Sequence, residues 1–195
     1  MQRGGGPVTI KYRFHGLILR RRVFPARARP RSFRIDEDAL QVLESEARRR
    51  STSPSALLNQ FVISYSEYGR IAEQMAALSL SRKTFIEILN ATDEGALAEA
   101  AERAGRSAVP AYVGAMRGPM TLQNIRELME VLSKHAHLFE FNEKQDSFGK
   151  HWTLVHEFGS KWSLFLARYF GAAFLMVKAR VREEVSDRTV IFWLD

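Results

Sequence analysis

Hydrogen-bonding side chains recur at two places in the first third of this 195-residue chain. Ser32 and Arg34 stand two residues apart, so on a strand both would project from the same face. An arginine on that face could form two hydrogen bonds with a planar edge such as that of guanine. Farther on, Ser53-Pro54-Ser55 has a capping serine and a proline at the first helical position, and a helix N-terminus binds anions. These two places could recognise an anionic partner.

Histidine is the other residue type here that could do chemistry, because imidazole nitrogens bind divalent metals. Four of the five histidines lie close in sequence, and Glu140 or Glu157 could assist them. Yet a helix C-terminus favours an imidazolium in any protein, and alternate strand positions face opposite sides of a sheet. We therefore predict no metal site and no cofactor. The four histidines are His135, His137, His151 and His156.

The sequence carries no pattern typical of an enzyme. It has no P-loop or dinucleotide-binding glycine motif, and no serine, histidine and acidic residue in an order that suggests a nucleophile. The absence of cysteine excludes disulfides, thiolate catalysis and iron–sulfur clusters, and it fits a cytoplasmic protein. The apolar stretch 162–177 contains Arg168 and is shorter than the roughly 20 residues that cross a bilayer. We expect a buried core helix there, with no membrane association.

The elements that would position these residues begin with a short strand. Residues 32–35 alternate polar and apolar side chains, which predicts a strand with Phe33 and Ile35 facing a core. Asp36 has the short acceptor side chain that caps helices, and acidic residues follow it, so we predict a helix over 37–50.

A second helix is predicted to start at Pro54 and to end near Tyr65. Its apolar residues cover more than one face, which indicates more than one packing partner. A segment this small cannot bury a core alone, so we predict that two chains fold together as an intertwined homodimer. The predicted dimer core consists of Phe33, Ile35, Leu40, Leu43, Leu57, Leu58, Phe61 and Val62.

Residues 31–65 resemble the ribbon-helix-helix DNA-binding module in the alternating strand, the Asp36 cap, the apolar spacing of both helices and the Ser-x-Ser-x-Leu start of the second helix. The resemblance implies that the strands of two chains pair antiparallel and lie in the major groove of double-stranded DNA. Ser32 and Arg34 would then contact bases. The alternative is a helical hairpin with no role on DNA. The expected phosphate contacts are Arg31, Arg49, Arg50, Ser53, Pro54 and Ser55.

Positive charge is concentrated at the start of the chain. Residues 1–31 carry nine lysines and arginines and no acidic residue, and they more than account for the formal charge of +7. Residues 1–30 are predicted to be a disordered arm that neutralises phosphates beside the strand. The alternatives are a solvated tail and a translation-start artefact. Arginines 48–50 also have an alternative to phosphate contact. They could be solvated residues that cap the helix, because the helix dipole favours basic residues at a C-terminus.

The remaining chain has room for one further domain. We divide the sequence into the arm, a ribbon-helix-helix module over 31–68, a linker or helix extension over 69–80 and a domain over 81–195. That domain begins with helices and ends in the order ββαββ, which predicts an α+β fold with an antiparallel sheet. Its predicted helices are 82–90, 93–104 with Gly105 as the stop, 109–116, 122–134 and 161–178, and its predicted strands are 138–143, 152–158, 181–185 and 189–194.

Aromatic residues are dense in this last domain, which holds all three tryptophans. They could line a pocket for an apolar ligand, form a second dimer surface or simply pack the core. The pattern His-x-x-Gly-x-x-Trp-Ser at 156–163 resembles the small-molecule-sensing domains that follow archaeal and bacterial DNA-binding modules. The candidate pocket residues are Trp152, His156, Trp162 and Trp193.

Two hypotheses follow from these observations. In the first, the chain is a dimeric or higher-oligomeric transcriptional regulator, such as a repressor, that reads DNA with a two-stranded ribbon. Its C-terminal domain would sense a small-molecule effector or extend the oligomer. In the second, the chain is an antitoxin-like interaction protein, whose module dimerises and whose C-terminal half binds another protein. The order of strand, cap, helix, turn and helix favours the first hypothesis.

Overall fold

The order of secondary-structure elements is known from a computed structural model, which describes residues 32–147 and 149–195. The predicted arm and Arg31 lie outside the described residues. The chain divides into two units, one ending at Gln41 and the other covering Val42–Asp195. The helices are α1 (Glu37–Arg49), α2 (Pro54–Ser64), α3 (Arg70–Gln74), α4 (Arg82–Ala91), α5 (Glu94–Ala115), α6 (Leu122–Val131) and α7 (Ser160–Met176). The strands are β1 (Glu140–Asp146), β2 (Gly149–Val155), β3 (Val181–Val185) and β4 (Thr189–Leu194).

Two helices are extended by short π-helical segments. The first π segment, Tyr65–Gly69, joins α2 to α3, so that one helical rod runs from Pro54 to Gln74. The second π segment, Leu132–Ala136, continues α6. Such wide turns inside helices often occur at functional sites, because they displace side chains from the regular helical positions.

Residues 32–36 precede α1 without regular structure. Phe33 is 73% exposed and Ile35 is 39% exposed, so both apolar side chains remain accessible in the single chain. A strand needs a second strand to pair with, and the predicted partner strand belongs to another copy of the chain. The ribbon therefore stays a prediction.

The bounds of α1 and α2 are confirmed to within a residue, because both caps form where the sequence places them. The side chain of Asp36 accepts a hydrogen bond from the Asp38 amide at 3.1 Å, and Ser53 Oγ accepts one from the Ala56 amide at 3.1 Å. The turn between the helices includes Ser51 at a φ of +51°, a left-handed conformation that glycine adopts more easily.

The C-terminal half is α+β, as predicted, with one antiparallel sheet in the order β1-β2-β4-β3. α7 connects the two hairpins, and its aromatic residues pack on one face of the sheet. Phe174 of α7 contacts Trp152 and Phe192, with ring centroids 5.9 and 5.0 Å apart. Leu154 and Val190 lie on the same face and are fully buried, which completes a core layer between helix and sheet.

β3 and β4 have their predicted bounds, whereas the first hairpin is displaced along the sequence. β1 begins two residues later than predicted, and β2 begins three residues earlier. The prediction was misled by Phe139 and Phe158, which pack into the core from outside the strands. Phe139 contacts Phe170 with ring centroids 6.0 Å apart, and Phe158 contacts Trp162 at 5.9 Å.

A charged network fixes β1 to α6 and β2. Glu143 accepts hydrogen bonds from Arg126 Nε at 2.7 Å and from Trp152 Nε1 at 3.1 Å, and Lys150 Nζ lies 2.7 Å away. Partial burial alone would raise the pKa of Glu143, but the hydrogen bonds from Lys150, Arg126 and Trp152 lower it to about 2. The carboxylate is therefore charged at neutral pH.

α5 runs without a break through Gly105, so the prediction of two separate helices, 93–104 and 109–116, was wrong. A Cβ atom at position 105 would lie 2.1 Å from the carbonyl oxygen of Tyr169 in α7. Glycine is needed there because only a residue without a side chain lets the two helix backbones come this close. The glycine signals a close helix contact rather than a helix end.

Replacing Gly105 with alanine should destabilise the protein by about 3 kcal/mol, because the added methyl group meets a backbone carbonyl that cannot turn aside. Gly114→Ala in the same helix is the matched control. Its Cβ position has no described atom within 4 Å, so alanine should instead stabilise the helix. Urea unfolding of both variants measures the difference, and equal stability of the two would contradict this account of the α5–α7 contact.

Candidate functional site

Ser32 and Arg34, the residues expected to contact bases, are both exposed. Arg34 forms no ion pair with any residue in the part of the chain that the structure describes. An exposed guanidinium without a carboxylate partner keeps all five of its N–H donors available. The side chain is therefore free to bind a planar acceptor.

The arginines at the end of α1 are in a different situation, because glutamates of the same helix pair with them. Glu46 accepts hydrogen bonds from Arg49 Nε at 2.7 Å and from Arg50 Nε, and these bonds lower the pKa of Glu46 to about 2. Arg48 lies 4.0 Å from Glu44. Exposed ion pairs of this kind contribute little and can be exchanged for another anion. A phosphate would therefore have to displace Glu46 before binding Arg49 or Arg50.

The start of α2 offers fewer amides than the sequence suggested. Pro54 has no N–H, the Ala56 amide donates to Ser53 Oγ, and the Leu57 amide donates to the Ser53 carbonyl. Among the described residues, this leaves the amides of Ser53 and Ser55 without a partner. Two amide donors on either side of a proline could hold one phosphate oxygen each.

The helices α1 and α2 leave a large apolar surface exposed. Phe61 is 48% exposed and Val62 is 59% exposed, although both belong to the predicted dimer core, and Leu57 alone in that set is fully buried. Single exposed apolar residues are normal, but four of them within positions 61–65 of one helical stretch suit an interface with a partner. The exposed apolar residues of the two helices and the first π segment are Val42, Phe61, Val62, Ile63 and Tyr65.

His135 joins the helical rod to the end of α6. Its Nε2 lies 3.1 Å from Glu67 Oε2, and its Nδ1 lies 3.1 Å from Ser64 Oγ. The Tyr68 ring stacks on the imidazole with centroids 5.8 Å apart, and Lys134 also donates to Glu67. We call these five residues the latch. It lies where the two π segments meet, so the rod is held at a fixed place on the C-terminal body.

Glu67 is the carboxylate that Lys134 and His135 share in the latch. Partial burial alone would raise the pKa of its carboxyl group, but hydrogen bonds from Lys134 and His135 lower it below the ordinary value. A lowered pKa means that the carboxylate stabilises the fold above about pH 4.5, and that this contribution is lost as the pH falls through the folded-state value.

His156 and Ser163 form a buried pair that resembles a catalytic serine–histidine dyad, with Nε2 2.8 Å from Oγ. The Phe158 amide donates to His156 Nδ1, so Nε2 carries the proton and donates to the serine. Ser163 Oγ in turn donates to the Asp187 carbonyl at 3.2 Å. Burial lowers the pKa of His156, which keeps the ring neutral. This series of hydrogen bonds connects the end of β2 to α7 and to the β3–β4 turn. Because Nε2 donates to the serine in this arrangement, the histidine does not act as a base toward it.

The four residues proposed for a ligand pocket are placed in separate environments. Trp152 of β2 pairs with Phe192 of β4, whereas Trp193 of β4 pairs with His151 of β2. Because His151 and Trp152 are adjacent on β2, Trp152 and Trp193 lie on opposite faces of the sheet. Trp162 is packed at the start of α7, where its indole donates to the Leu138 carbonyl at 3.0 Å. His156 belongs to the series of hydrogen bonds through Ser163. These residues therefore do not line a common cavity.

The histidine sequence cluster is likewise divided among different environments. In residues 32–147 and 149–195, no group of three histidine or acidic side chains comes close enough to hold a metal ion. Over the same residues, no helix is long and apolar enough to cross a membrane.

Sequence reasoning did not find Glu46 or the latch as parts of the site. Glu46 has a signal in its spacing, because it stands three and four residues before two arginines on one helix. Glu67 and His135 are 68 residues apart, and no local pattern links them.

Comparison of the chain with models of known protein families, with curated proteins and with solved structures finds no match.

Replacing Glu67 with glutamine should lower the free energy of unfolding at pH 7 by about 1 kcal/mol, because Lys134 and the buried His135 lose their carboxylate. The wild-type protein should lose this advantage below about pH 4.5, where its own carboxylate becomes protonated. Urea unfolding at pH 7 and at pH 3 checks both statements.

Glu99→Gln is the control for that experiment, because among the described residues Glu99 pairs with Arg103 alone, on the exposed side of α5 at 3.4 Å. It should change stability by less than about 0.5 kcal/mol. A Glu67→Gln variant as stable as the control at both pH values would show that the latch does not hold the rod.

Proposed function

We propose that this chain is a homodimeric, sequence-specific DNA-binding transcriptional regulator of the ribbon-helix-helix type. Residues 32–35 of two copies pair as an antiparallel ribbon and enter the major groove, with Ser32 and Arg34 toward the bases. The α1 and α2 helices of the two copies form the dimer core beneath it. The C-terminal α+β domain serves sensing or further oligomerisation.

The exposed apolar residues of the predicted dimer core carry the proposal. Phe33, Ile35, Phe61 and Val62 are all exposed in the single chain. Phe61 and Val62 lie on α2, whose start and serine cap follow the expected pattern. An intertwined dimer would bury them, and the burial of each such side chain contributes about 1.5–3 kcal/mol. A monomer would leave these apolar side chains in contact with water, which is unfavourable.

Hydrogen-bonding groups in the same stretch of sequence support DNA as the partner. The guanidinium of Arg34 has no ion pair in the described part of the chain, and a guanidinium matches the two acceptors of guanine in the major groove. The unpartnered amides of Ser53 and Ser55 suit a phosphate oxygen. The arginine would recognise the base, and the amides would fix the position of the protein on the DNA backbone.

Replacing Arg34 with alanine should abolish sequence selection while leaving the dimer intact. Loss of one bidentate guanine contact costs about 1–3 kcal/mol of discrimination per half-site, so the preferred site should lose tenfold or more in affinity over random duplex. The measurement is selection from random duplex DNA, followed by titration of the selected site. Sedimentation of both proteins establishes the oligomeric state.

Arg103→Ala is the matched control, because Arg103 lies on the exposed side of α5 with Glu99 as its partner. It removes the same charge and should leave the selected sequence unchanged. A wild-type protein that sediments as a monomer would contradict the proposal. So would an Arg34→Ala variant with the wild-type sequence preference.

Replacing Glu46 with glutamine should strengthen DNA binding if Arg49 and Arg50 contact phosphates, because it releases both guanidinium groups from their carboxylate. The logarithm of the affinity should fall more steeply with the logarithm of salt concentration, by about one additional unit of slope. Glu99→Gln adds the same charge elsewhere and is the control. Equal behaviour of the two variants would assign the arginines to helix capping alone.

A second candidate function is that of an antitoxin-like dimer that binds another protein. The pairing of Arg48, Arg49 and Arg50 with glutamates favours it, since these arginines are then already compensated. In that case the Glu46→Gln variant would bind DNA no more tightly than the wild-type protein. Deletion of residues 1–66 would leave binding of the partner protein intact.

A further inference from the structure

A cleft of about 220 Å³ opens between α5, α7 and β3. Its floor is apolar, because Leu175 is 70% exposed there and Gly171, Ala179 and Val181 are partly exposed. The other apolar residues of its lining are almost completely buried and belong to the core. Among the described atoms, a Cβ atom at position 171 would approach Glu183 Oε2 at an ordinary 3.6 Å.

Charged side chains of both signs stand at the rim of the cleft. Glu102 and Arg106 come from α5, Arg168 from α7 and Glu183 from β3. Arg168 Nη1 is 3.8 Å from Glu183 Oε1, which is a loose pair. The rim therefore offers two positive and two negative groups around an apolar floor.

The two charged residues of α5 at this rim do not satisfy each other. Glu102 and Arg106 are four residues apart, a spacing that usually forms an ion pair on a helix. Their neighbours Glu99 and Arg103 do pair, at 3.4 Å. Within the described residues, however, the side chains of Glu102 and Arg106 form no hydrogen bond and no ion pair. Both charges remain available to a ligand.

We propose that this cleft binds a free amino acid with an apolar side chain. The carboxylate of the ligand would lie on Arg106 and Arg168, its ammonium group on Glu102 and Glu183, and its side chain on the apolar floor. A ligand with a single charge would bring that charge toward two groups of the same sign, which costs affinity. The volume also favours a small ligand, because pockets for drug-sized molecules start at about 300 Å³.

This site does not rest on the proposed DNA-binding function. Its ligand is measured on the free protein without DNA, so failure of one proposal leaves the other intact. If the chain is a DNA-binding regulator, the amino acid would be its effector.

The test is calorimetric titration of the full chain with L-leucine, L-methionine and L-phenylalanine. The analogues 4-methylpentanoate and 3-methylbutylamine keep the leucine side chain and remove the ammonium or the carboxylate. At least one amino acid should bind, and both analogues should bind at least tenfold more weakly than leucine or not at all. No binding by any of the three amino acids at millimolar concentration would overturn the proposal. An analogue that binds as tightly as the best amino acid would do the same.

Substitutions place the ligand in the cleft. Arg106→Gln should weaken binding tenfold or more, because a charge-assisted hydrogen bond to the carboxylate is lost. Arg103→Gln, on the same helix but paired with Glu99, should leave binding unchanged. Gly171→Leu should fill the cleft and abolish binding, with circular dichroism confirming that the fold is kept. Binding unaffected by Arg106→Gln, or weakened equally by Arg103→Gln, would locate the ligand elsewhere.

Discussion

The close contact of α5 with α7 at Gly105 is the constraint on which the C-terminal body depends. At that position the backbone of one helix approaches the Tyr169 carbonyl of the other within a distance that excludes any side chain. α7 presents Phe170 and Phe174 to the sheet, so its placement by α5 also determines the core. The cleft follows from the same contact. Its rim residues Glu102 and Arg106 lie close to Gly105 on α5, the first about one turn before it and the second directly after it.

Carboxylates shared between two nitrogen partners recur at the junctions of the structure. Glu143 lies between Arg126 and Lys150, Glu67 between Lys134 and His135, and Glu46 between Arg49 and Arg50. The first two connect different secondary-structure elements, so their geometry matters for the fold. The third is local to one helix. The same chemistry therefore serves tertiary structure in two places and modulates surface charge in the third.

Local signals allowed much of the fold to be predicted from sequence. Serine and threonine caps mark the starts of α2, α4 and α6, and the alternation in β3 and β4 gives their bounds to the residue. Where the physical cause was tertiary, prediction was wrong. Gly105 is a packing residue of α5, and the two phenylalanines at the ends of the first hairpin belong to the core rather than to the strands.

The candidate sites show the same division. The helical residues of the predicted dimer core follow from helical periodicity, and Glu46 could have been found from its spacing to two arginines. The latch could not, because Glu67 and His135 meet only in the folded chain. Nor could the sequence reveal that Trp152 and Trp193 occupy opposite faces, since that depends on the pairing register of β2 and β4.

The unbroken rod from Pro54 to Gln74 has a mechanical consequence. Twenty-one residues at about 1.5 Å each give a stiff lever roughly 30 Å long, gripped near its C-terminal third by the imidazole of His135. Ser53 lies 11–14 residues from that grip, roughly 16–21 Å along the helix, so a tilt of about 5° there would swing Ser53 by about 1.5–2 Å, comparable to the H···O distance of a hydrogen bond. Small adjustments in the α+β body would thus reach the far tip amplified, without any hinge between them.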